Sequence, residues 1–260
     1  MSLFCRWWST VALCLLAAAC TPRVHAEPEA DGPSVPTSAI THALVDMPTQ
    51  QRGADPGMPD VMHRFRIPLE STRIAFVDLR YETPLIEALG KHALVINGGY
   101  WAYAGKRRVI QGLLVVNGKP LAPFLRRAGG GVLTIREGRA VLTASEQWQP
   151  EAEAELALQC KPRLVSSGKV IPKLDTQRRA TRTALCIRDD GKTLDAYLTD
   201  DALRPTLAEL GAFLVTEGCT DALNLDGGPS TAAVFEQAGQ APLRVGVGLE
   251  LPYGLGFSPR

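Results

Sequence analysis

Two short stretches of the chain set reactive side chains beside backbone open enough to receive a ligand: VINGGYW at 95–101 and LNLDGGPST at 223–231. In each, an apolar run stops at an amide or a carboxylate, Asn97 or Asp226, and Gly-Gly follows at once. Glycines permit positive φ and close approach, and successive backbone N–H groups can form an anion-binding nest. A hairpin needs only an Asn-Gly or Asp-Gly pair. The hydroxyls of Ser230 and Thr231 and the ring of Tyr100 go beyond what a turn requires. A single Asp-Gly-Gly is more often a tight turn than a site; two of one design, Asn97-Gly98-Gly99 and Asp226-Gly227-Gly228, point to a held ligand.

Cations and further acids stand around these turns in the sequence. Arg163 and Arg182 each open a strand-like stretch. Their ordinary role is a surface or sheet-edge charge; their chemical role is a bidentate clamp on phosphate, for which the guanidinium fork is suited. Asp200-Asp201, ahead of Pro205, reads first as a turn and helix-cap pair, with Asp200 a reserve carboxylate. Glu217 closes a helical stretch, where the dipole disfavours an acid. Tyr100, Trp101 and Tyr103 form an aromatic cluster, more often core than sugar platform. There is no Gly-x-Ser-x-Gly, no Walker loop and no dinucleotide fingerprint.

The elements that must position these residues are mostly short strands. RIAFVDLR at 73–80 and ALVINGGYW at 93–101 are strand-like; TPLIEALGKH at 83–92 has helical spacing, with Pro84 at the first position. Hairpins are expected around Asn117-Gly118, Glu137-Gly138, Ser167-Gly168 and Asp190-Gly191. One amphipathic helix is expected over 205–218, with Leu207, Leu210, Phe213 and Leu214 on one face and Gly218 at its stop. Roughly ten strands and two or three helices predict an α+β domain on a curved antiparallel or mixed sheet, not a doubly wound parallel fold.

With 260 residues the chain is long enough for one sizeable core, and its formal charge of +1 carries no signature of nucleic acid. Arg6 followed by the apolar run Val11–Cys20 has the layout of an export signal. Two readings stand side by side: cleavage after Ala26, or a lipobox ending at Cys20 that tethers the protein to a membrane. Either predicts an exported protein, periplasmic or anchored at the outer membrane. Residues 27–60 hold six prolines and predict a disordered linker, leaving 61–260 as the folded domain. Beyond the leader stand Cys160, Cys186 and Cys219, so at most one disulfide forms within the chain, its partners unassigned. No motif requires a metal or cofactor.

Taken in order, INGGYW, GLLVVNGKPL, LQCKPRLVSSGKV, RRATRTALCI and DALNLDGGPSTAAVF resemble the bacterial phosphodiester glycosidase family over roughly residues 65–258. The resemblance places the family's site on Asn97, Gly98, Gly99 and Tyr100, on Gln159, on Arg182 and Thr183, and on Asn224, Asp226, Gly227, Gly228, Ser230 and Thr231. Lys161 and Pro229 stand where the family has glycines. It implies hydrolysis of the sugar C1–O bond of a sugar-1-phosphodiester. Asp226 would be the catalytic carboxylate, Arg182 and Arg163 the phosphate clamp, and a small-molecule or glycan phosphodiester the substrate. The rival expectation is a non-catalytic envelope module that binds such phosphodiesters or peptidoglycan fragments.

Overall fold

The computed structural model describes residues 39–48, 60–80, 84–126, 130–150, 153–246 and 251–260. The export segment and parts of the expected linker lie outside the described residues.

Three antiparallel sheets and one hairpin make up the fold. The largest sheet runs, in spatial order, β1 (Thr41–Asp46), β2 (Val61–Pro68), β15 (Thr193–Thr199), β14 (Thr183–Arg188), β16 (Asp221–Asn224), β12 (Arg163–Ser166) and β13 (Lys169–Val170). A second contains β10 (Arg139–Ala144), β9 (Gly131–Arg136), β11 (Leu156–Cys160), β7 (Leu114–Val116) and β8 (Lys119–Ala122). A third contains β18 (Leu243–Gly246), β17 (Ala232–Phe235), β4 (Leu94–Asn97), β19 (Tyr253–Pro259) and β3 (Thr72–Asp78), and β5 (Trp101–Ala104) pairs with β6 (Arg107–Ile110).

Every strand pair among the described residues is antiparallel, so the mixed sheet is not found, and the fold is richer in β-structure than an α+β domain implies. The expected hairpins explain this. Asn117-Gly118, Glu137-Gly138 and Ser167-Gly168 all have positive φ at both positions, as the tight antiparallel turn demands. The 83–92 stretch forms a 3-10 segment, Leu85–Lys91, not an α-helix. A second correction concerns the linker: Thr41–Asp46 is a strand within 27–60, in register along β2 from Thr41–Arg66 to Asp46–Val61. Prolines flank this segment but none interrupts it.

The expected helix forms as α1 (Leu207–Thr216). The Thr206 hydroxyl accepts from the Glu209 N–H at 3.2 Å, and the Thr206 N–H donates to the Glu209 carboxylate at 2.8 Å, a reciprocal cap. Leu210, Phe213 and Leu214 are buried with Leu164 and Val165 of β12, and Leu207 packs at the edge of that cluster. The main core draws on all three sheets: Phe65 and Leu198 from the first, Leu133 and Leu156 from the second, Leu94 and Leu255 from the third. Cys186 and Cys219 form a disulfide, and Cys160 is free and buried.

Candidate functional site

The two Gly-Gly turns meet. Strand β4 of the third sheet ends at Asn97 and strand β16 of the first at Asn224, two residues before Asp226. The Asn97 amide donates to the Asp226 backbone carbonyl at 2.9 Å and to the Gly98 carbonyl at 3.0 Å. Its oxygen accepts from the Thr183 hydroxyl at 2.8 Å and from the Ala232 N–H at 3.2 Å. Asn97 and Thr183 are fully buried. Their capacity is spent inside the protein, where they fix Asp226 in position.

Gly98 and Gly99 lie over Tyr253 of β19. A Cβ on Gly98 would overlap the Tyr253 ring, which explains the glycine. The Gly99 N–H donates to the Tyr253 hydroxyl at 2.7 Å, and the Gly98 N–H to the Tyr253 carbonyl at 3.4 Å. In the second turn the Gly227 N–H donates to the Asp226 carboxylate at 2.9 Å and the Gly228 N–H to the Thr181 carbonyl at 2.8 Å. The glycines therefore bend and brace the turns; their N–H groups do not form the open nest that the sequence led us to expect. Tyr253 escaped the sequence reading. Its one signal was an aromatic residue in a strand punctuated by Gly254 and Gly256.

Asp226 is half-buried at the mouth of this arrangement. Burial raises its carboxyl above the ordinary aspartate value, opposed by hydrogen bonds from the Ser230 hydroxyl and the Gly227 N–H. Thr231 is buried beside Ser230, and its hydroxyl has no partner among the described residues. Asn224 donates to the Tyr100 hydroxyl at 3.0 Å and the Lys161 carbonyl at 3.1 Å, while its own oxygen is buried without a donor. The Tyr100 hydroxyl in turn donates to the Lys161 carbonyl at 2.9 Å. Burial raises Tyr100 well above the ordinary tyrosine value, with Asp226 pushing the same way and Arg182 opposing.

Arg182 is only 8% exposed. Its guanidinium donates to the Pro205 carbonyl at 3.2 Å and the Arg178 carbonyl at 2.8 Å, and no carboxylate pairs with it among the described residues. Burial lowers its pKa. A buried cation bonded only to carbonyls, with the Asp175 carboxylate in electrostatic reach but not paired with it, keeps capacity for a bound anion.

The other expected site residues fall elsewhere. Gln159 is buried in β11 and makes four bonds: its oxygen accepts from the Leu113 and Leu125 N–H groups, and its amide donates to the Leu125 carbonyl and the Ser145 hydroxyl. It clamps a loop to the strand. Arg163 lays its stem over Gly131, in electrostatic reach of Asp221. The Asp200 carboxylate accepts from the Ala202 and Leu203 N–H groups at 2.9 and 3.2 Å and caps a turn. Glu217 takes Arg64 at 3.3 Å and the Tyr197 hydroxyl at 3.0 Å, a structural answer to its unfavourable place at the helix end.

Comparison with known proteins adds to this geometry. No curated protein matches the chain in sequence. Solved structures that share its fold include the following three. A hypothetical protein from Synechocystis has a TM-score of 0.59 at 13% identity, covering 85% of this chain, which spans 62% of that one. The catalytic domain of zebrafish N-acetylglucosamine-1-phosphodiester alpha-N-acetylglucosaminidase has a TM-score of 0.59 at 16% identity, covering 88% of this chain and 86% of its own. A protein from Burkholderia pseudomallei has a TM-score of 0.55 at 12% identity, covering 80% of this chain and 76% of its own. The sequence model of the phosphodiester glycosidase family matches residues 91–257, which take in both Gly-Gly turns, Arg182 and Tyr253. The chain belongs to the phosphodiester glycosidase family, and a glycosidase-type hydrolytic function follows from that membership.

Proposed function

We propose that the protein hydrolyses the C1–O bond of a sugar-1-phosphodiester, releasing free sugar and a phosphomonoester. One observation carries the reading: the turn that bears Asp226 lies along the segment that bears Arg182, with the Leu225 N–H on the Thr183 carbonyl at 2.9 Å and the Gly228 N–H on the Thr181 carbonyl at 2.8 Å, so a carboxylate and a cation stand on neighbouring chain segments. The zebrafish neighbour acts on an N-acetylglucosamine-1-phosphodiester, the same reaction class.

The chemistry suits this pair. Ordinary glycosidases need one carboxylic acid to protonate a poor leaving group and a second carboxylate opposite it. From a sugar-1-phosphodiester the phosphomonoester leaves as an already stabilised anion, so one carboxylate and one cation suffice. As the C1–O bond breaks, its electron pair passes to the phosphate oxygen, where Arg182 receives the growing charge. Asp226 faces the positive charge developing at C1, as nucleophile, base or electrostatic partner. Water supplies hydroxide to C1 and a proton to solvent. Asn97, Thr183 and Tyr253 keep the carboxylate in place throughout.

The proposal includes export, with Cys20 lipidation and cleavage after Ala26 as the two routes. The Cys186–Cys219 disulfide supports an oxidising compartment. No helix among the described residues is long and apolar enough to cross a membrane.

The test is sugar release by the purified protein from a panel of sugar-1-phosphodiesters, with Asp226→Asn alongside. Release lost by about 10²–10⁴-fold in the variant, as for removal of a positioned acid–base group, supports the assignment. Full turnover by Asp226→Asn removes it, and ligand binding without any release favours the binding module.

A further inference from the structure

Beside Tyr100 the surface opens into a cleft of about 540 Å³, in the size range of small-molecule sites. Its walls are mostly apolar, with Phe124, Leu125, Tyr100 and Cys160 among the lining residues. Phe124 is held by stacking on Trp148, with centroids 5.2 Å apart and planes at 28°. Leu125 stays 36% exposed, and Gln159 grips its backbone on both sides at 3.0 Å. Two exposed cations, Arg126 and Lys161, complete the rim, and neither pairs with a carboxylate among the described residues.

Of the polar groups in the walls, those of Gln159 and Tyr100 are already engaged, which leaves the Gln111 side chain. Gln159 makes four bonds within the protein, and the Tyr100 hydroxyl is held by Asn224 and the Lys161 carbonyl. Burial pushes the Cys160 thiol up to about 12, so it stays neutral. A second sugar ring placed here would give up water for walls that offer its hydroxyls few partners. An apolar group loses nothing by the same transfer and gains from it.

We infer that this cleft receives the alcohol half of the phosphodiester, and that this alcohol is apolar next to its phosphate, an alkyl or aryl group and not a second sugar. The inference rests on the reading of Asp226 and Arg182 given above. The cleft is joined to that site through Tyr100, whose hydroxyl meets the amide of Asn224, two residues before Asp226, at 3.0 Å, and Arg126 and Lys161 add positive charge at its rim.

Two measurements on the full protein separate this inference from the reading it rests on. Calorimetry compares octyl phosphate with mannose 6-phosphate, which needs no catalysis. Turnover compares the methyl, octyl and mannosyl diesters of one sugar-1-phosphate. Octyl phosphate is expected to bind at least about tenfold more tightly than mannose 6-phosphate, a difference on the order of 1.4 kcal/mol. Leu125→Ser should cut that ratio severalfold, while Val141→Ser, the same kind of change at a more exposed position on β10, leaves it alone. A ratio at or below one, or no binding of octyl phosphate, overturns the inference whatever the turnover. A clear preference without sugar release from any diester supports the cleft and sinks the glycosidase reading instead.

Discussion

The side-chain amide of Asn97 donates to the backbone carbonyl of Asp226 at 2.9 Å, tying the end of one sheet to the end of another. Asn97 is fully buried and makes four hydrogen bonds, so truncating it strands the Thr183 hydroxyl and the Ala232 N–H. Asn97→Ala is expected to cost about 2–4 kcal/mol of stability, the scale for breaking a buried polar network. Chemical denaturation measures it; a loss below about 0.5 kcal/mol, the range of neutral surface changes, would show that the tie does not hold the turns together.

Asp226 sets a pH dependence whose sign follows from its raised pKa. Its folded form holds the proton more tightly than the unfolded chain, so the protein is favoured in acid. That advantage is complete below the ordinary aspartate value of 3.8 and fades as pH rises through the raised folded value. Asp226→Asn should therefore raise Tm over wild type at pH 7, with the gap closing below pH of about 3.8. A variant less stable than wild type at pH 7 contradicts this. Activity runs the other way: the rate should fall on the acid side at a pH above the ordinary aspartate value, as the carboxylate takes its proton.

Arg182 holds two backbone carbonyls with a planar fork, a geometry that lysine does not reproduce. Arg182→Lys is expected to reduce kcat/KM by about 10–100-fold, within the range found for losing a charged transition-state contact. Steady-state kinetics with an unchanged kcat/KM would exclude it as the phosphate partner.

The Cys186–Cys219 disulfide joins residues 33 apart in sequence, β14 to the segment just before β16. Closing a loop of that length gives about 3–4 kcal/mol in the chain-entropy account. Thermal unfolding with and without reductant should show a clear fall in Tm, with Cys160 resisting alkylation in the folded state because it is buried. No change on full reduction would assign the pair no stabilising role.

The hairpins were legible because their signal is local: a two-residue turn with positive φ declares itself in Asn117-Gly118 or Ser167-Gly168. The capped helix was legible for the same reason. What escaped depends on residues far apart. The partner of Cys186 emerges only once β14 lies against β16, with Cys186 opposite Ala222. Gln159 and Asp200 have the right chemistry for a site, and only the fold reveals that their bonds are spent within the protein. Strand β1 was hidden by the prolines of its neighbourhood. Asp226 and Arg182 were visible by type and motif; that the one sits by glycines whose N–H groups are spent, and the other bonds backbone carbonyls, was not.

Tyr253 follows every other residue of the site along the chain, and both N–H groups of the first Gly-Gly turn end on it. A chain that emerges N-terminus first therefore carries Asp226, Arg182 and Asn97 before it owns the ring and hydroxyl that brace the first Gly-Gly turn. Each of these contacts spans more than a hundred residues, so local folding does not supply them early. Assembly of the site is thus tied to arrival of the β19 segment, and fragments shed before that point hold the reactive residues without an organised centre.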